Sequence, residues 1–235
     1  MKQALAACLV GWMAAHPAWS QMSTPETPLQ DKRIALTFDD GPTEGVTDPL
    51  LDLLQTYGAQ ATFFPMGEAL DAQAALLRRI QSEGHEIGNH GLSHRRLTWM
   101  SNAEVQHELD QVDRTIERLT GVAPAVFRPP YAAIDDDVQE IVRSKGHFVI
   151  MWSNYPELGG FLVGAEGIAD RILSTAQDGD IIFLHDTSAR TLDAVRIVLE
   201  QLTEEGFQFV TTSDLLQAAG GAEPGAIYYS TPAEP

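Results

Sequence analysis

Two adjacent carboxylates, Asp39 and Asp40, follow the apolar run Ile34-Ala35-Leu36, and Gly41-Pro42 turns the chain away behind them. The pattern reads as a buried strand ending in paired acids. Successive side chains of an extended segment point to opposite sides, so one acid can bind a metal while its neighbour handles a proton. Acidic pairs at strand ends also form turns and cap helices, so the meaning of this one depends on what converges with it. Farther along, the stretch Gly84-His85-Glu86-Ile87-Gly88-Asn89-His90-Gly91-Leu92-Ser93-His94 carries His90 and His94 four positions apart. That spacing can aim two imidazoles at one point on a helical turn or a compact loop. Two imidazoles and a carboxylate form a common zinc donor set that leaves a position for water; surface or capping histidines are the alternative. His85 points to the other side of its strand and is read as structural.

Two more stretches join these: Arg128-Pro129-Pro130-Tyr131, and the apolar strand Asp180-Ile181-Ile182-Phe183-Leu184-His185-Asp186. Together with Ala61-Thr62-Phe63-Phe64 and Gly206-Phe207-Gln208-Phe209-Val210-Thr211-Thr212, they resemble, in order and spacing, the motifs of the NodB-homology polysaccharide deacetylases over residues 32–216. The resemblance implies that Asp40, His90 and His94 ligate one divalent metal, zinc or alternatively cobalt. It implies that Asp39 is the general base, held ionised by the metal and by Arg128, which pairs with it and orients it. The backbone N–H of Tyr131 helps to hold the tetrahedral oxyanion, and His185 protonates the departing amine. Leu184 and Trp152 are read as apolar walls for the acetyl methyl, with core packing the alternative for Trp152.

The chain departs from the family pattern in two places. An Asp-x-x-Asp-Trp motif is expected after a strand ending in Trp, but the chain reads Trp152-Ser153-Asn154-Tyr155-Pro156-Glu157-Leu158. The usual outer aspartate and groove tryptophan are missing, with Glu157 or Asn154 as substitutes for the acid. Ala132 follows Tyr131 where glycine is usual. Both departures put the standard substrate in more doubt than the metal site.

Strands are expected near 33–38, 61–64, 85–89, 125–128, 147–152, 180–184 and 207–210, and helices near 47–57, 68–83, 101–119, 135–145, 167–176 and 191–205. Ser101-x-x-Glu104 is a capping-box start and Gly121 a helix stop. Such alternation predicts an α/β fold with a parallel sheet, open or closed into a barrel. In both forms the site lies at the carboxyl ends of the strands, where Asp39, Asp40, His90, Arg128 and His185 fall. The resemblance selects a single-domain, distorted seven-stranded (β/α) barrel.

Residues 1–20, with Lys2, an apolar run from Ala4 to Ala15 and small residues at Ala18 and Ser20, read as a signal peptide. Residues 21–31 read as a linker and 217–235 as a loosely held tail, leaving one deacetylase domain at 32–216. The expectation is an exported protein, periplasmic or secreted, without stable membrane insertion after cleavage. Its only cysteine, Cys8, lies in the leader, so no disulfide is expected in the mature chain. A formal charge of −18 repels nucleic acid and anionic membranes and favours a neutral acetylated glycan, although a few groove residues can dominate locally. The expected partner is an acetylated polysaccharide or oligosaccharide, and no protein partner is inferred. The expected function is N-deacetylation of amino sugars in peptidoglycan, a chitin-like polymer or an exopolysaccharide. An O-acetyl polysaccharide esterase and a metal-retaining glycan-binding pseudoenzyme are the alternatives.

Overall fold

A computed structural model describes residues 32–231. The expected signal peptide and linker lie outside the described residues, as does Cys8.

The first strand, β1 (Lys32–Asp39), is buried from Ile34 onward, and its alternation sorts side chains into two layers. Ile34, Leu36 and Phe38 pack outward into the core shared with the helices, while Ala35 packs with Phe64, Val126, Ile150 and Ile181. The other strands are β2 (Ala61–Phe64), β3 (Glu86–Ile87), β4 (Val126–Phe127), β5 (Phe148–Ile150), β6 (Ile181–His185) and β7 (Phe207–Phe209). Every ladder is parallel: β2 and β6 flank β1, β3 lies beside β2, and β4 pairs with β5. Single bridges, Asn89 to Phe127 and Asn154 to Ile182, join β3 to β4 and β5 to β6 and close the ring. The N–H of Gln60 donates to the carbonyl of Phe209 and β7 pairs only with Lys32–Ile34, so β7 wedges between the bases of β1 and β2. This is the distorted (β/α) barrel the sequence leads one to expect.

A helix follows each strand: α1 (Thr47–Thr56), α2 (Ala74–Ser82), α3 (Asn102–Thr120), α4 (Asp136–Ser144), α5 (Ala165–Leu173), α6 (Ala189–Glu204) and α7 (Thr212–Ala218). Leu50, Leu51 and Leu54 of α1 are fully buried against the sheet, each contributing about 2 kcal/mol of transfer free energy. Ser101 and Glu104 exchange hydrogen bonds as a capping box at the start of α3, and Gly121, at φ 82°, ends it in the left-handed conformation.

Two expectations need correction. The helix expected at 68–83 begins instead as a 3-10 turn at Gly67–Ala69, and α2 starts only at Ala74. The N–H groups of Gly67 and Glu68 donate to the carbonyls of Gly91 and Leu92, which ties this turn to the histidine loop. The segment read as a loose tail is also structured up to Thr231. Thr211 caps α7, and an additional strand, β8 (Ile227–Tyr228), pairs with β5. Ser230 then bridges Asp180 at the foot of β6, so the segment fills the gap between β5 and β6.

Candidate active site

Asp39 ends β1 and stands in register with His185 of β6 on one side and Phe64 of β2 on the other. Asp40 does not continue the strand. Its φ is 68°, and its N–H donates to the carbonyl of Phe64 at 3.1 Å. The two carboxylates therefore do not face opposite sides. The left-handed turn brings both to one imidazole, His90, whose Nε2 is 3.5 Å from Asp39 Oδ2 and 3.6 Å from Asp40 Oδ1. Gly41 must be glycine: a Cβ there would lie 1.9 Å from Oδ1 of Asp186, a carboxyl buried beneath the turn. Burial pushes the Asp186 pKa up to about 6 even though Thr47 Oγ1 donates to it at 2.6 Å.

Asp40, His90 and His94 each present one donor atom, all within 4.8 Å of one another. His90 Nδ1 lies 2.7 Å from the carbonyl of Arg128, which can only accept, so Nδ1 carries the proton and Nε2 offers its lone pair to the cluster. Burial, opposed by Asp39, lowers the pKa of His90 and keeps the ring neutral as a ligand requires. His94, at φ 52°, sets its Nε2 3.4 Å from Asp40 Oδ1. That Asp40 oxygen is buried without a hydrogen-bond partner. An orphaned carboxylate oxygen facing two imidazole nitrogens fits a divalent cation of the zinc or cobalt type. The loop that carries the pair is clamped from below, because Glu108 of α3 accepts from the N–H groups of Leu92 and Ser93 and from Ser93 Oγ. Nothing in the sequence marked Glu108 for this work.

Arg128 is fully buried and makes four hydrogen bonds: to Asp39 Oδ1 at 2.7 Å, to Thr37 Oγ1, and to the carbonyls of Ile150 and Met151. Burial lowers its pKa and Asp39 opposes that shift. The guanidinium lies over Phe64 at 4.4 Å, so its position is fixed on all sides. Asp39 is thus aimed by one oxygen and left with the other facing the histidines.

Tyr131 and Ala132 both have positive φ, 59° and 53°, in a tight turn behind Pro130 that directs the Tyr131 ring to 4.8 Å from His94. Across the cleft, Glu157, one of the two substitutes considered for the missing acid, is the one that contacts a site residue. Nδ1 of His185 donates to Glu157 Oε2 at 2.7 Å, and Thr191 Oγ1 donates to Oε1 at 2.5 Å. Asn154, the other substitute considered, donates to Thr175 and lies apart from the cleft residues. Burial works against a charged His185, but the Glu157 hydrogen bond and the nearby acids outweigh it and raise its pKa. Nε2 of His185 lies 3.9 Å from Asp40 Oδ2, so six of the seven expected site residues line one cleft, and the seventh, Arg128, is buried behind Asp39.

The cleft has a volume of about 400 Å³. Trp152 forms an apolar wall, as expected, but Leu184 does not: it is fully buried in the outer core. Strand alternation puts Phe183 on the cleft side instead, stacked on Trp152 at 4.1 Å and flanked by Tyr155 at 4.6 Å.

A family model described as polysaccharide deacetylase matches residues 26–150. The peptidoglycan-N-acetylglucosamine deacetylase of Bacillus cereus is 34% identical over 198 residues, covering 83% of this chain and 92% of that protein. The Xyl-CE4 domain of a multidomain xylanase from the hindgut metagenome of Trinervitermes trinervoides is similar in structure, with a TM-score of 0.79 at 30% identity, over 86% of this chain and 98% of that one. A family 4 acetyl xylan esterase from Clostridium thermocellum, solved with a cobalt ion, has a TM-score of 0.78 at 30% identity, over 86% and 100%.

Proposed function

The chain belongs to the polysaccharide deacetylase family, and from that premise we propose that it is an exported, metal-dependent hydrolase removing N-acetyl groups from amino sugars of a polysaccharide, peptidoglycan first among them. The observation that carries this reading is the division of labour between neighbouring acids. Asp40 faces two imidazoles with an unpartnered oxygen, while Asp39, tied to Arg128, keeps one oxygen free beside them.

Asp40, His90 and His94 would hold a divalent cation, which when bound would supply Lewis acidity toward water and the acetyl carbonyl. Asp39 accepts the proton of the attacking water, and Arg128 keeps that carboxylate ionised and aimed. The Tyr131 N–H is the donor for the oxygen that becomes negative as the carbonyl carbon turns tetrahedral. His185, its Nδ1 committed to Glu157, delivers the Nε2 proton to the sugar nitrogen as the C–N bond breaks, leaving acetate and a free amine. Trp152, Tyr155 and Phe183 shield the acetyl methyl from water. The proposed place of action is the periplasm or cell exterior, with residues 1–20 as the signal for export; among the described residues no helix is long and apolar enough to cross a membrane.

Acetate release from N-acetylglucosamine oligomers tests the reading: a chelator should abolish it, and zinc or cobalt should restore it. The xylanase and acetyl xylan esterase neighbours favour a second reading, O-deacetylation at the same site. Acetate released only from O-acetyl glycans would select it. Metal uptake without acetate from any glycan would mean a binding protein instead.

A further inference from the structure

The catalytic residues leave one cation in the cleft unexplained. Arg96 lines the same cavity as Asp40 and His94, yet it has no part in binding the metal or aiming the base. Its guanidinium lies 5.1 Å from the ring centroid of Tyr131 and 5.4 Å from that of Trp99. The Tyr131 ring in turn lies 4.8 Å from that of His94, tilted by 58°, so the arginine stands one ring beyond His94. Among the described residues Arg96 has no ion-pair partner, and it is the one basic side chain other than histidine that lines this cleft.

The backbone explains how this group is presented. Leu97, fully buried, anchors a 3-10 turn over Leu97–Trp99, which leaves Arg96, just before it, and Trp99, at its end, both exposed. Trp99 is 80% exposed and Tyr131 57%, a large apolar area for a chain to leave in water beside a cleft. Flat aromatic faces of this kind accept the C–H faces of sugar rings. A guanidinium held between two rings loses little conformational freedom on pairing, and its planar fork matches a carboxylate.

We propose that Arg96 is a specificity-determining residue that receives a carboxylate on the saccharide next to the acetylated one, with that sugar's apolar face on Trp99. The inference rests on the deacetylase reading and narrows its substrate. It also reverses, for the cleft, the preference for neutral glycans that a net charge of −18 suggests. That charge acts at long range and is screened by salt, while Arg96 acts in contact. Two sources supply such a carboxylate: the lactyl group of a muramic acid that carries no peptide, or a uronic acid side group.

The test compares the metal-supplemented full chain with Arg96→Gln on three acetylated oligosaccharides: a neutral N-acetylglucosamine oligomer, a peptide-free glycan fragment bearing muramic acid, and a xylan fragment bearing uronic acid. The expected result is a wild-type preference, in kcat/KM, for one carboxylated substrate over the neutral one. That preference should fall about fivefold in the variant, mainly through KM, and shrink at high salt. The substrate that shows the drop identifies the source. An unchanged ratio for both carboxylated substrates would overturn the proposal. Calorimetric binding of the deacetylated carboxylated fragments, wild type against variant, gives a readout independent of turnover. If no acetate is released from any substrate, the deacetylase reading falls, and the binding difference alone decides the role of Arg96.

Discussion

Glu157 Oε2 accepts a hydrogen bond from Nδ1 of His185 at 2.7 Å, although the two residues are 28 positions apart, His185 ending β6 and Glu157 lying in the loop after β5. Thr191, from the first turn of α6, holds the other oxygen of the same carboxylate, so Glu157 is fixed at both ends. The pair fixes the tautomer of His185 and leaves Nε2 as the only ring nitrogen that can exchange a proton with substrate. Glu157→Gln should therefore lower kcat about 10- to 100-fold without changing metal content. Acetate release measured beside metal stoichiometry checks this. A variant with full activity would remove Glu157 from the proton path.

The two neighbouring acids should separate cleanly in their effects. Asp39→Asn keeps an oxygen for Arg128 and leaves Asp40, His90 and His94 untouched. It should retain bound metal while turnover drops by about 10²-fold or more, the usual cost of losing a general base. Asp40→Asn should lose metal as well as turnover. Metal analysis of both proteins decides the assignment, and equal metal loss in the two would contradict it.

Much of this site was legible because a parallel βα barrel converts sequence order into position. Asp39, His90, Arg128 and His185 each follow an apolar run, and every such run ends at the same rim. What failed to show was anything set by backbone turns or long-range contacts. An extended strand sends Asp39 and Asp40 apart, and only the positive φ at Asp40 reunites them. Glu157 and Asn154 were equal candidates for the missing acid in the sequence, and only the contacts of Glu157 with His185 and Thr191, neither near it in sequence, choose between them. Strand β8 is two residues long, too short for any alternation, and it is defined only by its pairing with β5.

Ala132 occupies a conformation, φ 53°, that glycine adopts without cost. A left-handed alanine is strained by about 1 kcal/mol, partly offset by the freedom glycine has in the unfolded chain. Ala132→Gly should leave the protein as stable or slightly more so. By contrast Ala132→Val, β-branched at the same φ, should destabilise it by more than about 1 kcal/mol. Denaturant midpoints of the two variants give the comparison.

His85, the histidine read as structural, gives the fold its own pH dependence away from the cleft. It is 3% exposed, its Nδ1 accepts from the N–H of Ala61 at 3.1 Å, and burial lowers its pKa to about 4. The unfolded chain carries this group at its ordinary value of 6.5, so between pH 6.5 and 4 the unfolded state takes up a proton that the folded state refuses. The contribution of His85 is therefore complete above pH 6.5 and is lost as the pH falls, by at most about 3 kcal/mol below pH 4. His85→Asn retains an acceptor for Ala61 and cannot titrate. Its unfolding free energy should decline less steeply than wild type over that window, and identical slopes in urea titrations at several pH values would show that His85 is not the group responsible.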